Sequence, residues 1–357
     1  MKTAIIGLPM TGKTSLFTIL TGVTQETRIG STAARTGVAK VPDARLEALA
    51  NLFEPPKTVY ATVEYVDMPS ISKENLRDPS YLASLRVVDA YAHVLRLFAD
   101  ETVPHEKGSV DPLRDMDDVE TELILSDLVV VEKRMERLDK DRKKIKNPEL
   151  DREFELLERC KAALEENRPL RQLELEADDE KRLRGFQFLS QKPVLYVLNL
   201  GEEDSGRLHG RECEYREGPL AGRRATAVTA VCGKVEAELA ELPREEQRDY
   251  LASYGLQESG LERLISATYS LLGLMSFLTA GEDECRAWTI PQNSPAVKAA
   301  GAIHSDFEKK FIRAEVINWQ SLIDLGGYGG ARDKGQLRLE GKDYIVKDGD
   351  VLVIRHS

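Results

Sequence analysis

The chain has 357 residues, enough for two or three domains, and its 41% hydrophobic and 31% charged residues describe a folded protein with a real core. A formal net charge of −11 excludes a general polyanion binder, so any nucleic-acid contact must come from a local patch. Four widely spaced cysteines with no C-x-x-C pair fit neither a zinc site nor a disulfide framework. With no apolar run of membrane length and no signal peptide, they point to a reducing, cytoplasmic setting without a membrane partner.

Residues 3–6 read as a short buried strand, and the run Gly7-Leu8-Pro9-Met10-Thr11-Gly12-Lys13-Thr14 follows it into the apolar helix 15–20. Strand, G-x-x-x-x-G-K-T turn and helix together form a phosphate-binding loop. Its glycines let the backbone wrap round a phosphate, and successive N–H groups from Met10 to Ser15 make an anion nest at a helix N-terminus. Lys13 is expected to reach the β- and γ-phosphates, and Thr14 to offer its hydroxyl to Mg²⁺. Leu8, Pro9, Met10, Thr11, Gly12, Lys13, Thr14 and Ser15 are therefore the expected nucleotide contacts.

The polar stretch 21–35 has the composition of a loop that closes over nucleotide, with Ser31 and Thr32 as candidate hydroxyls. Residues 37–42 read as a strand and 43–53 as a capped helix. The run 58–67 alternates and ends on Asp67, the place where a phosphate-loop protein keeps a carboxylate linked to Mg²⁺. A buried strand is expected in the second half of 87–98, with His93 a core residue. His105 falls in the loop beyond it, on the edge that faces ligands in open α/β sheets.

From about residue 115, Ile124, Leu128, Val131, Met135, Leu138 and Ile145 follow a 4-3-4-3 spacing, broken only at Arg142. After Asn147-Pro148 the spacing returns at Leu150, Phe154, Leu157 and Leu164, which predicts an antiparallel helical hairpin. Residues 132–147 carry eight Lys/Arg against four Asp/Glu, with Lys140, Arg142, Lys143, Lys144 and Lys146 at the tip. That cluster suits either a solvated turn or a contact with RNA or another acidic surface. Strands are expected at 192–199 and 225–230 and a helix at 258–274. A hairpin is expected around Asp348-Gly349.

The chain resembles the YchF/Obg-like ATPase family over nearly its whole length. The resemblance is carried by residues 110–115 and 131–137, 258–263, 279–282, 286–289, 304–309, 311–316 and 339–350. It implies an α/β fold: a P-loop nucleotide-binding domain at 1–114 and 191–276, a helical hairpin inserted at 115–190, and a β-grasp (TGS) domain at 277–357. It implies ATP and Mg²⁺ as ligands, and the ribosome or its RNA as partner of a monomer, reached through the hairpin tip and the TGS domain, with no role for DNA.

The resemblance also assigns roles. Where related GTPases read N-K-x-D, this chain has Asn199-Leu200-Gly201-Glu202, a form associated with ATP; Asn199, Leu200 and Glu202 then lie at the base, with Thr229, Ala230 and Val231 as a second base-side loop. His105 matches a histidine that assists water, which with Lys13 makes the catalytic pair, and the Mg²⁺ set becomes Thr14, Ser31 and Asp67. Departures are concentrated at the phosphate sensors: D-x-A-G is Asp67-Met68-Pro69-Ser70, and the first switch reads Gly30-Ser-Thr-Ala-Ala-Arg-Thr-Gly37. Pro69 removes a donor beside the position whose N–H ordinarily meets the γ-phosphate. Slow ATP hydrolysis is the reading expected from these residues. A hydrolysis-deficient nucleotide-binding regulator and a GTPase remain alternatives.

Overall fold

A computed structural model describes residues 1–23, 34–72 and 74–357. The chain divides into two compact units: one of residues 1–38 and 64–267, the other of residues 39–63 and 268–357.

The first unit is built on a six-stranded sheet of order β2-β4-β1-β5-β6-β7. Its strands are β1 (Lys2–Ile6), β2 (Arg35–Lys40), β4 (Thr62–Asp67), β5 (Ala90–Arg96), β6 (Val194–Asn199) and β7 (Thr226–Val231); β3 (Thr58–Val59) belongs to the other sheet. β4, β1, β5, β6 and β7 pair in parallel. Parallel strands covered on both faces read as unbroken apolar runs, and β5 and β6 are buried at every position. Register brings Ile5 beside Asp67, Ile6 beside His93 and Arg96 beside Asn199. The functional side chains therefore gather at the C-terminal ends of the strands. Helix α1 (Lys13–Thr21) leaves β1 through the phosphate loop, α2 (Ala44–Phe53) follows β2, and α3 (Pro79–Arg86) precedes β5.

The expected hairpin is present as α4 (Pro112–Arg142) and α5 (Pro148–Glu165). Asp111 and Asn147 cap their N-termini, each with proline at the first helical position, where no N–H is needed. Ile124, Val131, Leu138, Leu157, Cys160 and Leu164 form its core, and Arg134 grips Glu153 through two bonds of 2.7 and 2.8 Å. Ile145 departs from the predicted seam. It lies beyond the end of α4 and is 61% exposed at the tip.

The hairpin is rooted by buried polar groups. Asp127, fully buried on α4, accepts from Leu189 N at 2.9 Å and from Ser190 N and Ser190 Oγ, both at 2.7 Å. One turn pair nearer the sheet, Glu120 meets the Arg171 guanidinium and the Tyr196 hydroxyl of β6. Such groups are tolerated inside because Asp127 is held by three hydrogen bonds and Glu120 is paired with the Arg171 charge.

In the second unit a six-stranded sheet runs β11-β10-β12-β8-β9-β3. It comprises β8 (Leu274–Thr279), β9 (Cys285–Pro291), β10 (Phe311–Asn318), β11 (Arg338–Glu340) and β12 (Asp350–His356), with β3 added at the edge beside β9. The helix Ala296–Ile303 lies on it, and Ala296, Ala299 and Ala300 are fully buried, as close packing of helix on sheet requires. This is the expected β-grasp element, with two differences. Segment 39–63, read above as part of the nucleotide-binding domain, contributes α2 and β3 to this unit. The hairpin expected around Asp348-Gly349 does not form: β12 pairs with β10 and β8, and the preceding residues make an isolated bridge from Ile345 to Pro295. The turn is used otherwise. Asp348 accepts from Ser276 N at 3.1 Å and from Arg45 of α2 at 2.7 Å, while Asp350 takes Lys347 N and the Tyr344 hydroxyl.

Removing Asp127 leaves two buried N–H groups without an acceptor. Asp127→Ala is expected to lower unfolding free energy by about 2–4 kcal/mol in urea titrations. Burial pushes this carboxyl up from 3.8 to about 6. A folded-state value above the unfolded one means the native state binds the proton more tightly. The residue's contribution to stability therefore rises as pH falls from about 6 to about 4, and is lost as pH rises through 6. The stability–pH curve of Asp127→Asn should lack that component.

Candidate functional site

The loop between β1 and α1 has the geometry that the motif demands. Gly7, Met10 and Gly12 hold positive φ of 143°, 59° and 93°. A Cβ on Gly7 would stand 2.6 Å from the Val94 carbonyl oxygen, and one on Gly12 2.5 Å from Asn199 Nδ2, so neither position has room for a side chain. α1 starts at Lys13 with Gly12 as a cap that offers no side chain. Its first N–H groups are left for an anion, at the positive end of the helix dipole.

Lys13 is buried. Its ammonium donates to the Leu8 carbonyl and, at 3.1 Å, to Ser70 Oγ. Burial pulls it down to about 8, against the opposing attraction of Asp67 and Glu106. Ser70, which stands where the family keeps glycine, is thus part of the loop's own hydrogen bonding. The segment around it is clamped: Tyr81 OH donates to Pro69 O at 2.9 Å, Asn75 Nδ2 to Ser70 O at 2.7 Å, and Ile71 N to Gly7 O at 3.3 Å.

Thr14 Oγ1 donates to Asp67 Oδ2 at 3.0 Å. The Arg35 guanidinium pairs with the same oxygen and lies over the Phe17 ring, 5.3 Å from its centroid. Asp67 Oδ1 is buried with no hydrogen-bond partner among the described residues. A hydroxyl beside a carboxylate with one unsatisfied oxygen is the kind of oxygen donor set that a hard divalent cation takes, and Mg²⁺ commonly rests on few protein ligands plus phosphates. Thr14 and Asp67 fit Mg²⁺. Ser31, the third residue of the expected set, lies outside the described residues.

At the end of β6 Asn199 is the organiser. Its Nδ2 donates to Thr11 O and its Oδ1 accepts from Gly233 N, both at 3.0 Å, so one carboxamide ties the phosphate loop to the turn after β7. Glu202 pairs with Lys234 and accepts from Tyr254 OH at 3.1 Å. The Lys234 bond, then Tyr254, holds its carboxyl below the usual range.

Four expected base contacts are placed differently. Leu200 is 2% exposed in the core, with its N–H on Val231 O. Thr229, Ala230 and Val231 are the end of β7, not a loop. Glu212 accepts from Thr229 Oγ1 and Ala230 N, and Arg263 donates to Ala230 O, so these groups are committed inside the fold. The backbone that meets Asn199 is that of Gly233, whose N–H is bonded to the Asn199 Oδ1.

After β5, Arg96 is 2% exposed and gathers the loop by donating to Phe98 O at 3.1 Å and Val103 O at 2.8 Å. His105 follows with its side chain 4% exposed. Its Nε2 faces Asp115 Oδ2 at 2.8 Å and its Nδ1 accepts Lys107 N–H at 3.2 Å. Both ring nitrogens are engaged, so in this arrangement the ring is not presented to a water. Arg35 and Glu212 are the residues that sequence reasoning missed: their partners lie far along the chain, and no local spacing marks them.

Asn199→Ala would leave Thr11 O and Gly233 N unpaired and release the loop from β6. ATP affinity measured by calorimetric titration is expected to fall by about tenfold or more.

Known proteins resemble this chain over its full length. The YchF-GTPase C-terminal family model, described as a protein of unknown function, matches residues 274–357. "Ribosome-binding ATPase YchF" of Bacillus subtilis (strain 168) is 40% identical over 365 residues, covering 100% of this chain and 99% of that protein. The protein of the same name from Escherichia coli O157:H7 is 40% identical over 361 residues, 98% of each chain. The solved Schizosaccharomyces pombe YchF GTPase superposes with a TM-score of 0.85 at 27% identity, covering 99% of this chain and 97% of that one. A phosphate loop, an inserted helical hairpin and a C-terminal β-grasp unit, shared with such relatives from end to end, place this chain in the YchF family.

Proposed function

We propose that this protein binds ATP on the loop Gly7–Thr14, hydrolyses it slowly and acts on the ribosome. The observation that carries the reading is the loop itself, with Lys13, Thr14, Asp67 and Asn199 converging on one sheet edge in a chain whose relatives are named ribosome-binding ATPases. Lys13 and the N–H groups of α1 would stabilise charge on the phosphates. Mg²⁺, held by Thr14 and Asp67, would neutralise charge on the phosphate oxygens. Asn199 fixes the base-side wall, and the absence of the lysine and aspartate of N-K-x-D favours adenine over guanine.

His105 serves hydrolysis in this reading by leaving Asp115. Catalytic hydrogen bonds often form only in the loaded enzyme. Lys13→Ala should abolish ATP binding. His105→Ala should slow single-turnover phosphate release by about tenfold or more while ATP affinity stays within about threefold. Equal losses of affinity and rate would make His105 a structural residue. ATP and GTP competing for the site decide the base, and clear GTP preference would overturn the adenine assignment.

The hairpin tip is the ribosome contact in this reading. Arg142 pairs with Asp151 and Lys143 with Asp139, whereas Lys140, Lys144 and Lys146 are exposed without a carboxylate partner among the described residues. Free cations at the end of a long arm suit a phosphate backbone. Reversing all three to glutamate should weaken co-sedimentation with ribosomes and flatten its salt dependence; unchanged binding would move the contact elsewhere.

A further inference from the structure

Arg35 has no counterpart in the reading above, yet it reaches into the phosphate site. It opens β2, its side chain is 14% exposed, and its guanidinium pairs with Asp67 Oδ2, the oxygen that also accepts from Thr14. The Phe17 ring beneath it fixes the plane of the group. An arginine keeps its charge at any relevant pH and carries five donors in a rigid fork. Apart from the bond to Asp67, those donors have no partner among the described residues. Asp67 and Arg35 therefore form a neutral pair where a lone carboxylate would otherwise repel phosphate and draw in a divalent cation. With Lys13, the site then holds two fixed cations around the space that the loop leaves for phosphates.

We infer that Arg35 is a built-in counter-cation for the nucleotide's phosphates at the Asp67 end of the loop, taking over part of the charge neutralisation otherwise supplied by Mg²⁺. The inference rests on the ATP-binding reading and adds a property to it: Mg²⁺-free nucleotide is still held. Two features support this. The fork suits a pair of phosphate oxygens, and such bonds are the strong, charge-assisted kind. A cation at Thr14 also feels repulsion from the guanidinium, so the demand for Mg²⁺ in binding falls.

The test is calorimetric titration of the full chain with ATP, in excess Mg²⁺ and in excess EDTA. The wild type should lose less than about tenfold in affinity without Mg²⁺, and Arg35→Gln should lose a further tenfold or so in EDTA but under about threefold in Mg²⁺. Arg35→Lys should recover most of the EDTA binding, because the charge returns. Arg35→Gln strands a buried carboxylate, which costs folding stability, so the comparison is repeated on a neutral background, where both charges of the pair are absent. There, the double variant Arg35→Gln/Asp67→Asn should bind ATP in EDTA about tenfold more weakly than Asp67→Asn alone. Equal affinities of those two, or equal losses in both media for Arg35→Gln, overturn the inference and leave ATP binding standing. A wild type that binds no ATP in either medium overturns both.

Discussion

A buried carboxylate must be matched, and the way Asp67 is matched sets the terms for the rest of the nucleotide site. The parallel register of β1 and β4 delivers it beside the start of the phosphate loop. There it meets the first turn of α1 through Thr14 and the start of β2 through Arg35. Loop, helix and two strands are thereby fixed by one side chain. Asn199 does the same work on the other flank with a neutral group, bonding in both directions through its amide and its carbonyl. Between the two, the glycines have no freedom left: a single added carbon would strike Val94 or Asn199.

The second consequence concerns the hairpin. His93, beside Gly7, is 3% exposed, and burial, with Lys13 and then Arg171, pulls it down to about 3, so it stays neutral. Its ring lies 5.7 Å from that of Tyr196, which donates to Glu120, which in turn meets Arg171. A continuous run of buried side chains thus links the floor of the phosphate loop to the root of α4. Close-packed interiors have low compressibility and transmit strain, so a shift at the loop floor is passed along this run to the root of the arm.

Much of this was legible in the sequence, for physical reasons that also mark where legibility stops. Residues 3–20 carry strand, turn and helix signals within one short window, and the structure forms all three. The heptad-like spacing from Ile124 to Leu138 is equally local and equally well realised. A strand-ending Asp is common as a turn cap, so it was the phosphate loop upstream that singled out Asp67, and the structure sets it against Thr14. Arg35, Leu200 and the 229–231 stretch resisted because their environments are made by distant residues: Asp67, Val231 and Glu212 in turn. A motif reports residue order, and whether an N–H is free depends on what the fold has already bound to it. The Asp348-Gly349 turn was misread on the same ground, since the local signal for a hairpin was outcompeted by Ser276 and Arg45.

Segment 39–63 has a bearing on how this protein is made. α2 packs against β9 and against the helix Trp319–Asp324, and its Leu46 and Leu49 are fully buried in the finished chain. Synthesis, however, delivers α2 and β3 early, and β9 and the helix Trp319–Asp324 last, after the hairpin and the remaining strands of the first sheet. Domains ordinarily close in the order in which they emerge. Here the second unit stays open at its N-terminal piece until residue 268 and beyond have been translated. A nascent chain stalled short of that point exposes an apolar helix face between two strands of a folded sheet, a feature that chaperones and proteases are suited to read.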